Sequence, residues 1–187
     1  MASGGAEVKK RLGAVIIYDE IQLAMGLPPR TGSTWILNTM RSLNIPWRNI
    51  GRGRHWVEAC DRLEIPGNYR RLTVVRHPEP WLRSIYKTFY AVCRHDDLPY
   101  MRKLLAIEVD EQEQFIEAGG QYVAEAWAYY QPSEFVLHTE TLADDLIKAL
   151  ECCGLDVPCS AIRRRPPEFF VQDFRRSWTS KLARMRR

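Results

Sequence analysis

The residues best able to do chemistry gather in one stretch, GLPPRTGSTW, from Gly26 to Trp35. An apolar run leads into it and a helical pattern leaves it, so it reads as a turn from a strand into a helix. Such a turn presents backbone N–H groups and the positive end of the helix dipole, and both favour a bound phosphate or sulfate. Gly32 lets the backbone approach closely, Ser33 and Thr34 add hydroxyl donors, and Arg30 supplies a permanent charge on a forked donor array. An anion-binding loop follows from those parts; a plain turn with a Ser/Thr helix cap is the competing reading. The Walker A pattern GxxxxGK[ST] fits poorly: five residues separate Gly26 from Gly32, and Ser33 stands where the lysine belongs.

A second stretch, VVRHPEPWLRSIY, strengthens the anion reading. Arg76 ends an apolar strand pattern, and Ser84, eight residues on, lies in the next helix beside its apolar stripe of Trp81, Ile85, Phe89 and Val92. An arginine at a strand's carboxyl end and an early helical hydroxyl can reach the same phosphate.

The elements that must position these groups alternate. LGAVIIY and IQLAMG read as two strands, or one strand with a bend, followed by the loop and by a helix with Ile36, Leu37, Met40 and Leu43 on one face. Residues 48–54 read as a basic loop, with a short helix from Trp56 to Leu63. RLTVVR is the next strand, and Pro80 suits the first turn of the helix after it. Residues 98–130 read as helical with a break at Gly119-Gly120. EFVLHT is a further strand, and TLADDLIKALECCG is a helix in which Thr141 and Asp144 resemble a capping box and Gly154 a stop. Strands alternating with helices predict an α/β fold, three layers (α/β/α) around a mostly parallel, P-loop-like sheet, with the ligand beyond the strands' carboxyl ends.

The 187 residues predict one domain over 1–187, with a core from about 12 to 155 and a basic C-terminal segment, 163–187. That segment carries nine basic residues against Glu168 and Asp173, within a net charge of +4. It reads as a solvated basic face, with a patch for an acidic acceptor or nucleic acid as the alternative. With 45% apolar and 27% charged residues, and no long apolar run or signal segment, the expectation is a cytoplasmic protein without a membrane span. Five cysteines without CxxC spacing and four scattered histidines predict reduced thiols and no metal site.

The two motifs together resemble the sulfotransferase family, whose members use 3′-phosphoadenosine 5′-phosphosulfate (PAPS) and release 3′-phosphoadenosine 5′-phosphate (PAP). PPRTGSTW is similar to the family's 5′-phosphosulfate loop, commonly written PKSGTTW, and RHPEPWLRS to its 3′-phosphate motif. FVLHTETLADDLIKALECCGL is similar to the family's late strand and the YEDL…FLGL helix, so the likeness spans about Ile21 to Leu155. The resemblance implies that Arg30, Thr31, Gly32, Ser33, Thr34 and Trp35 surround the 5′-phosphosulfate while Arg76 and Ser84 hold the 3′-phosphate. The sequence departs from the family pattern in having Arg30 where the cytosolic branch has lysine, and in lacking a glycine-rich RKGxxG loop. Arg163 to Arg165, or Arg175 and Arg176, are candidates to replace that loop electrostatically.

Sulfuryl transfer needs neutralised charge on the transferring and leaving oxygens and a base beside the acceptor's proton. A neutral imidazole suits the second task near pH 7. His55 lies between the two motifs, where the cytosolic branch places its catalytic histidine, and is the first choice; Glu58 and Asp61 are the carboxylate alternatives. His77 reads as a structural loop residue, and His95 and His138 as ordinary. The aromatic set on the helices, Trp81 and Trp127 among them, reads mainly as packing. The expected function is sulfuryl transfer from PAPS to a hydroxyl or amine of a small-molecule or carbohydrate acceptor, with Arg30 and His55 catalytic. An atypical P-loop kinase, or a nucleotide-fold binding module without turnover, is the alternative.

Overall fold

The computed structural model describes residues 15–50, 56, 60, 65–88 and 98–163. Their centre is a five-stranded sheet in the order β3-β1-β2-β4-β5, built from β1 (Val15–Tyr18), β2 (Leu23–Gly26), β3 (Arg48–Asn49), β4 (Arg70–Val75) and β5 (Phe135–His138). β2, β4 and β5 run parallel, with Met25 opposite Leu72 and Val74 opposite Leu137. β1 lies antiparallel to both β2 and β3.

The sheet is therefore mixed, which corrects the expectation of a mostly parallel one. The reason lies in the DE that separates the first two apolar runs. Asp19–Ile21 form one 3-10 turn, and Gln22 closes it in the left-handed region at φ 49°. A connection that short turns the chain back on itself, whereas a parallel return needs a dozen or more residues. Arg48 and Asn49, read as loop, pair with Ile17 and Ile16 as a short exposed edge. Arg48 also grips Asp19 through two hydrogen bonds of 2.7 and 3.1 Å, and the Tyr69 hydroxyl donates to the same carboxylate at 2.7 Å.

Seven α-helices are described: α1 (Ser33–Ser42), α2 (Pro78–Lys87), α3 (Pro99–Leu105), α4 (Gln112–Gly119), α5 (Val123–Ala128), α6 (Leu142–Cys152) and α7 (Cys159–Arg163). Strand side chains alternate between two apolar clusters, as the pleat requires. Ile16, Tyr18, Leu23, Met25, Leu72, Val74 and Leu137 join Trp35, Ile36 and Met40 of α1 and Leu142, Leu146 and Leu150 of α6. Val15, Ile17 and Ala24 join the other cluster, with Trp81, Leu82 and Ile85 of α2 and the inner faces of α3 to α5. Each fully buried Leu, Ile or aromatic side chain contributes roughly 1.5–3 kcal/mol, so the strand spine is held from both clusters. Among the described residues, no helix is long and apolar enough to cross a membrane.

Two local details differ from the sequence reading. α2 starts at Pro78, so both Pro78 and Pro80 lie in its first turn, where a missing N–H costs nothing. Thr141 does precede α6, but it makes no side-chain bond to the helix backbone. Its hydroxyl instead donates to Asp145 at 2.8 Å, and the same carboxylate oxygen accepts the His138 backbone N–H at 2.9 Å. Asp145 thus receives the strand end as it turns into α6.

Gly26, the last residue of β2, has the indole of Trp56 against it: a Cβ there would meet Trp56 Cε3 at 2.6 Å. Trp56 is buried, so neither group has room to give. Gly26→Ala is expected to cost about 1–3 kcal/mol through overpacking. Urea denaturation checks this; a variant as stable as the wild type would show that the ring shifts freely.

Candidate functional site

The three parallel strands end side by side, and the segments leaving their tips converge on one place. Beyond β2 runs the loop Leu27 to Gly32, beyond β4 comes Arg76, and beyond β5 the turn Thr139–Thr141 that leads into α6. Parallel register forces this convergence at the carboxyl ends.

The loop is tied down by its carbonyls. The Thr31 hydroxyl donates to Pro28 O at 2.9 Å, the Trp81 indole N–H to Pro29 O at 3.0 Å, and Arg76 Nη1 reaches Arg30 O at a long 3.4 Å. The Thr139 hydroxyl lies 2.9 Å from Thr31 O and 3.0 Å from Val75 O, one proton shared between two acceptors. Four consecutive carbonyls, Pro28 to Thr31, are thus all taken by side chains. One further hydroxyl, on buried Thr73, holds Gly26 O at 3.0 Å where the loop leaves the sheet.

A trans peptide is flat, with its C=O and N–H pointing opposite ways. Fixing the carbonyls of Arg30 and Thr31 therefore aims the N–H groups of Thr31 and Gly32 away from those side chains. Gly32 sits at φ 93°, left-handed, directly before right-handed Ser33. A left-handed residue followed by a right-handed one turns successive N–H groups toward one concavity, the arrangement that cradles anions. The first N–H groups of α1 have no carbonyl within the helix to bond, and the dipole of that ten-residue helix adds positive potential at the same point.

Arg30 has a left-handed backbone as well, at φ 68°, which costs a residue with a Cβ about 1–2 kcal/mol. The peptides on either side of its Cα are the ones held by Trp81 and Arg76, so tertiary contacts impose the conformation. Its side chain crosses to α2, where Nε donates to Ser84 Oγ at 2.9 Å. Trp81 and Ser84 are three residues apart on α2, so one helix face holds both the Pro29 carbonyl and the Arg30 guanidinium.

The structure accordingly brings Arg30, Arg76 and Ser84 together around Thr31, Gly32 and the start of α1, where Ser33 and Thr34 begin the helix and Trp35 is buried. Burial depresses the Arg30 guanidinium below its ordinary range, and neighbouring Arg76 depresses it further. Arg76 is likewise lowered by burial, against which the Glu140 carboxylate pulls it up. Glu140 accepts the His77 N–H at 3.1 Å and is exposed, so the described residues place it at the rim of this positive site. Both arginines remain charged near neutrality.

His77 immediately precedes α2, and its backbone N–H donates to Glu140. The ring of His138 lies 3.3 Å from Asp145 through Nδ1. His55, Glu58 and Asp61 lie outside the described residues, as do Arg164, Arg165, Arg175 and Arg176. Sequence reasoning missed Trp81 and Thr139 as supports of the loop. A tryptophan on a helix stripe is indistinguishable from packing until its N–H is located, and a lone threonine after a strand carries no signal. A separate depression, lined by Tyr69, Arg71 and Glu134 among others, lies at the amino ends of β4 and β5, away from these groups.

No protein-family model, curated protein or solved structure matches the chain. Geometry alone characterises the site: a positively charged, N–H-lined turn at the carboxyl end of an α/β sheet.

Gly32 is the residue this geometry can least exchange. An added Cβ would be strained at φ 93° and would meet Leu142 Cδ2 at 2.8 Å. Gly32→Ala is expected to lose about 1–2 kcal/mol of stability from the backbone alone, together with affinity for inorganic sulfate. Denaturant titration and sulfate calorimetry on the same sample check it; unchanged values in both would show that the turn does not need its left-handed residue.

Proposed function

We propose that the chain is a PAPS-dependent sulfotransferase, moving a sulfuryl group to a hydroxyl or amine of a small-molecule or carbohydrate acceptor. The observation that carries this reading is the meeting of Arg30, Arg76 and Ser84, from sequence positions up to 54 residues apart, around the Gly32 turn at the N-terminus of α1. A three-layer α/β/α arrangement is part of the proposal and is supported by the division of the core into two clusters, α1 and α6 in one, α2 to α5 in the other.

The donor supplies an activated sulfuryl group; the residues of the chain bind, orient and neutralise. In this reading the N–H groups of Gly32, Ser33 and Thr34 with the Arg30 guanidinium hold the 5′-phosphosulfate, and Arg76 with Ser84 holds the 3′-phosphate. Arg30 Nε donates to Ser84 Oγ at 2.9 Å, so α2 orients the guanidinium that meets the donor's charged oxygens. Charge-assisted hydrogen bonds are about twice as strong as neutral ones, which favours guanidinium contacts to those oxygens. During transfer Arg30 stabilises negative charge on the bridging oxygen, and His55 takes the acceptor's proton. Arg30 cannot donate a proton near neutral pH, so it acts through charge alone.

The test compares PAP, PAPS, ATP with magnesium, and buffer in thermal-shift and calorimetric measurements on the full chain. Selective stabilisation by PAP is expected. Arg76→Ala is expected to weaken PAP by about tenfold to a hundredfold, the worth of hydrogen bonds to a charged group. His55→Ala should leave PAP affinity intact and abolish sulfuryl transfer. Stabilisation by ATP with magnesium but not by PAP would overturn the assignment in favour of a kinase, and PAP binding by a wild type that transfers no sulfuryl group to any hydroxyl or amine acceptor would leave a binding module.

A further inference from the structure

We infer that Thr139 is a positioning residue for the anion, acting through the Gly32 amide. This deepens the sulfotransferase reading and rests on it for the identity of the ligand, though not for the mechanics.

The hydroxyl of Thr139 joins the ends of all three parallel strands. It belongs to the turn after β5, and lies 2.9 Å from the carbonyl of Thr31 in the loop after β2 and 3.0 Å from that of Val75, the last residue of β4. Its position acts in two ways. First, the Thr31–Gly32 peptide is a rigid plane, so anchoring its carbonyl on Thr139 sets the direction of the Gly32 N–H on the opposite side. That N–H is the first donor of the left-to-right-handed turn that faces an anion. Second, Val75 is the residue before Arg76, so the same hydroxyl ties the loop to the base of the second arginine and fixes their spacing. Removing it frees one peptide plane to rotate and uncouples two strand tips, while the apolar contacts of β5, made by Leu137 and Phe135, stay in place.

Thr139 touches no ligand in this scheme, so a change there must be read as misplacement of other groups. Thr139→Val keeps the shape and removes the donor; Thr139→Ser keeps the donor. Three measurements decide the matter: calorimetric affinity for inorganic sulfate and for PAP, unfolding by urea, and the amide resonance of Gly32 in a nitrogen-15 NMR titration with sulfate. Wild type is expected to show a Gly32 amide shift as sulfate is added. Thr139→Val should bind both anions about five- to tenfold more weakly, the scale of one hydrogen bond, and its Gly32 shift should shrink. Thr139→Ser should stay within about twofold of wild type. Equal anion affinity in wild type and a folded Thr139→Val overturns the inference, as does an equal loss in Thr139→Ser. A wild-type titration in which the Gly32 amide does not respond to sulfate overturns it too, and needs no variant to fold. If sulfate binding behaves as expected while PAP fails to bind wild type, the positioning role stands and the sulfotransferase reading falls.

Discussion

Two guanidinium groups share one half-buried place, and the surrounding described structure is arranged to keep them there. Arg30 and Arg76 each lose hydration, and Arg30 also suffers the neighbouring like charge. The carboxylate that acts on Arg76, Glu140, is exposed at the rim and is engaged by the His77 N–H. Placing two cations side by side in a half-buried site costs free energy that an incoming dianion would offset. That like-charge proximity, in a half-buried place, is the physical basis for proposing that the site binds an anion.

The loop that carries Arg30 is held mainly by neutral donors. Thr31, Trp81 and Thr139, with the long reach of Arg76, occupy the carbonyls from Pro28 to Thr31, so the loop's acceptors face the protein and its donors face the other way. Apart from the local Thr31 hydroxyl, the supports come from Arg76 beyond β4, from α2 and from the turn after β5, segments far apart in sequence. Loop shape is therefore a property of the assembled sheet. The left-handed backbone of Arg30 makes the same point, since its cost is met only when α2 and β4 have both docked.

The strand–loop–helix unit around Gly32 was legible because its parts are local: glycine, hydroxyls and arginine between a strand and a helix. Arg76 and Ser84 were legible because a strand end and a helical spacing place them. The antiparallel turn between β1 and β2 was not, since its left-handed position holds Gln22 rather than the glycine or asparagine that marks such turns. β3 was missed because two exposed residues carry no alternation. The role of Asp145 was not legible because its carboxylate reaches the end of β5, a tertiary fact that capping patterns do not encode.

The identity of residue 30 follows from the same geometry. A lysine places all three of its donors on one nitrogen at the end of a flexible stem, so the Ser84 hydroxyl and an anion would have to crowd the same atom. Arginine separates the tasks along a rigid plane: Nε lies nearest the stem and meets Ser84 at 2.9 Å, while the terminal nitrogens of the same group lie further out. The side chain is thereby oriented by α2 before any ligand is present, and less rotamer freedom is lost when one binds. The preorganisation has a chemical consequence. A guanidinium that stays charged at every working pH stabilises a leaving phosphate by field alone, so proton transfer in the proposed reaction falls entirely to the base on the acceptor side.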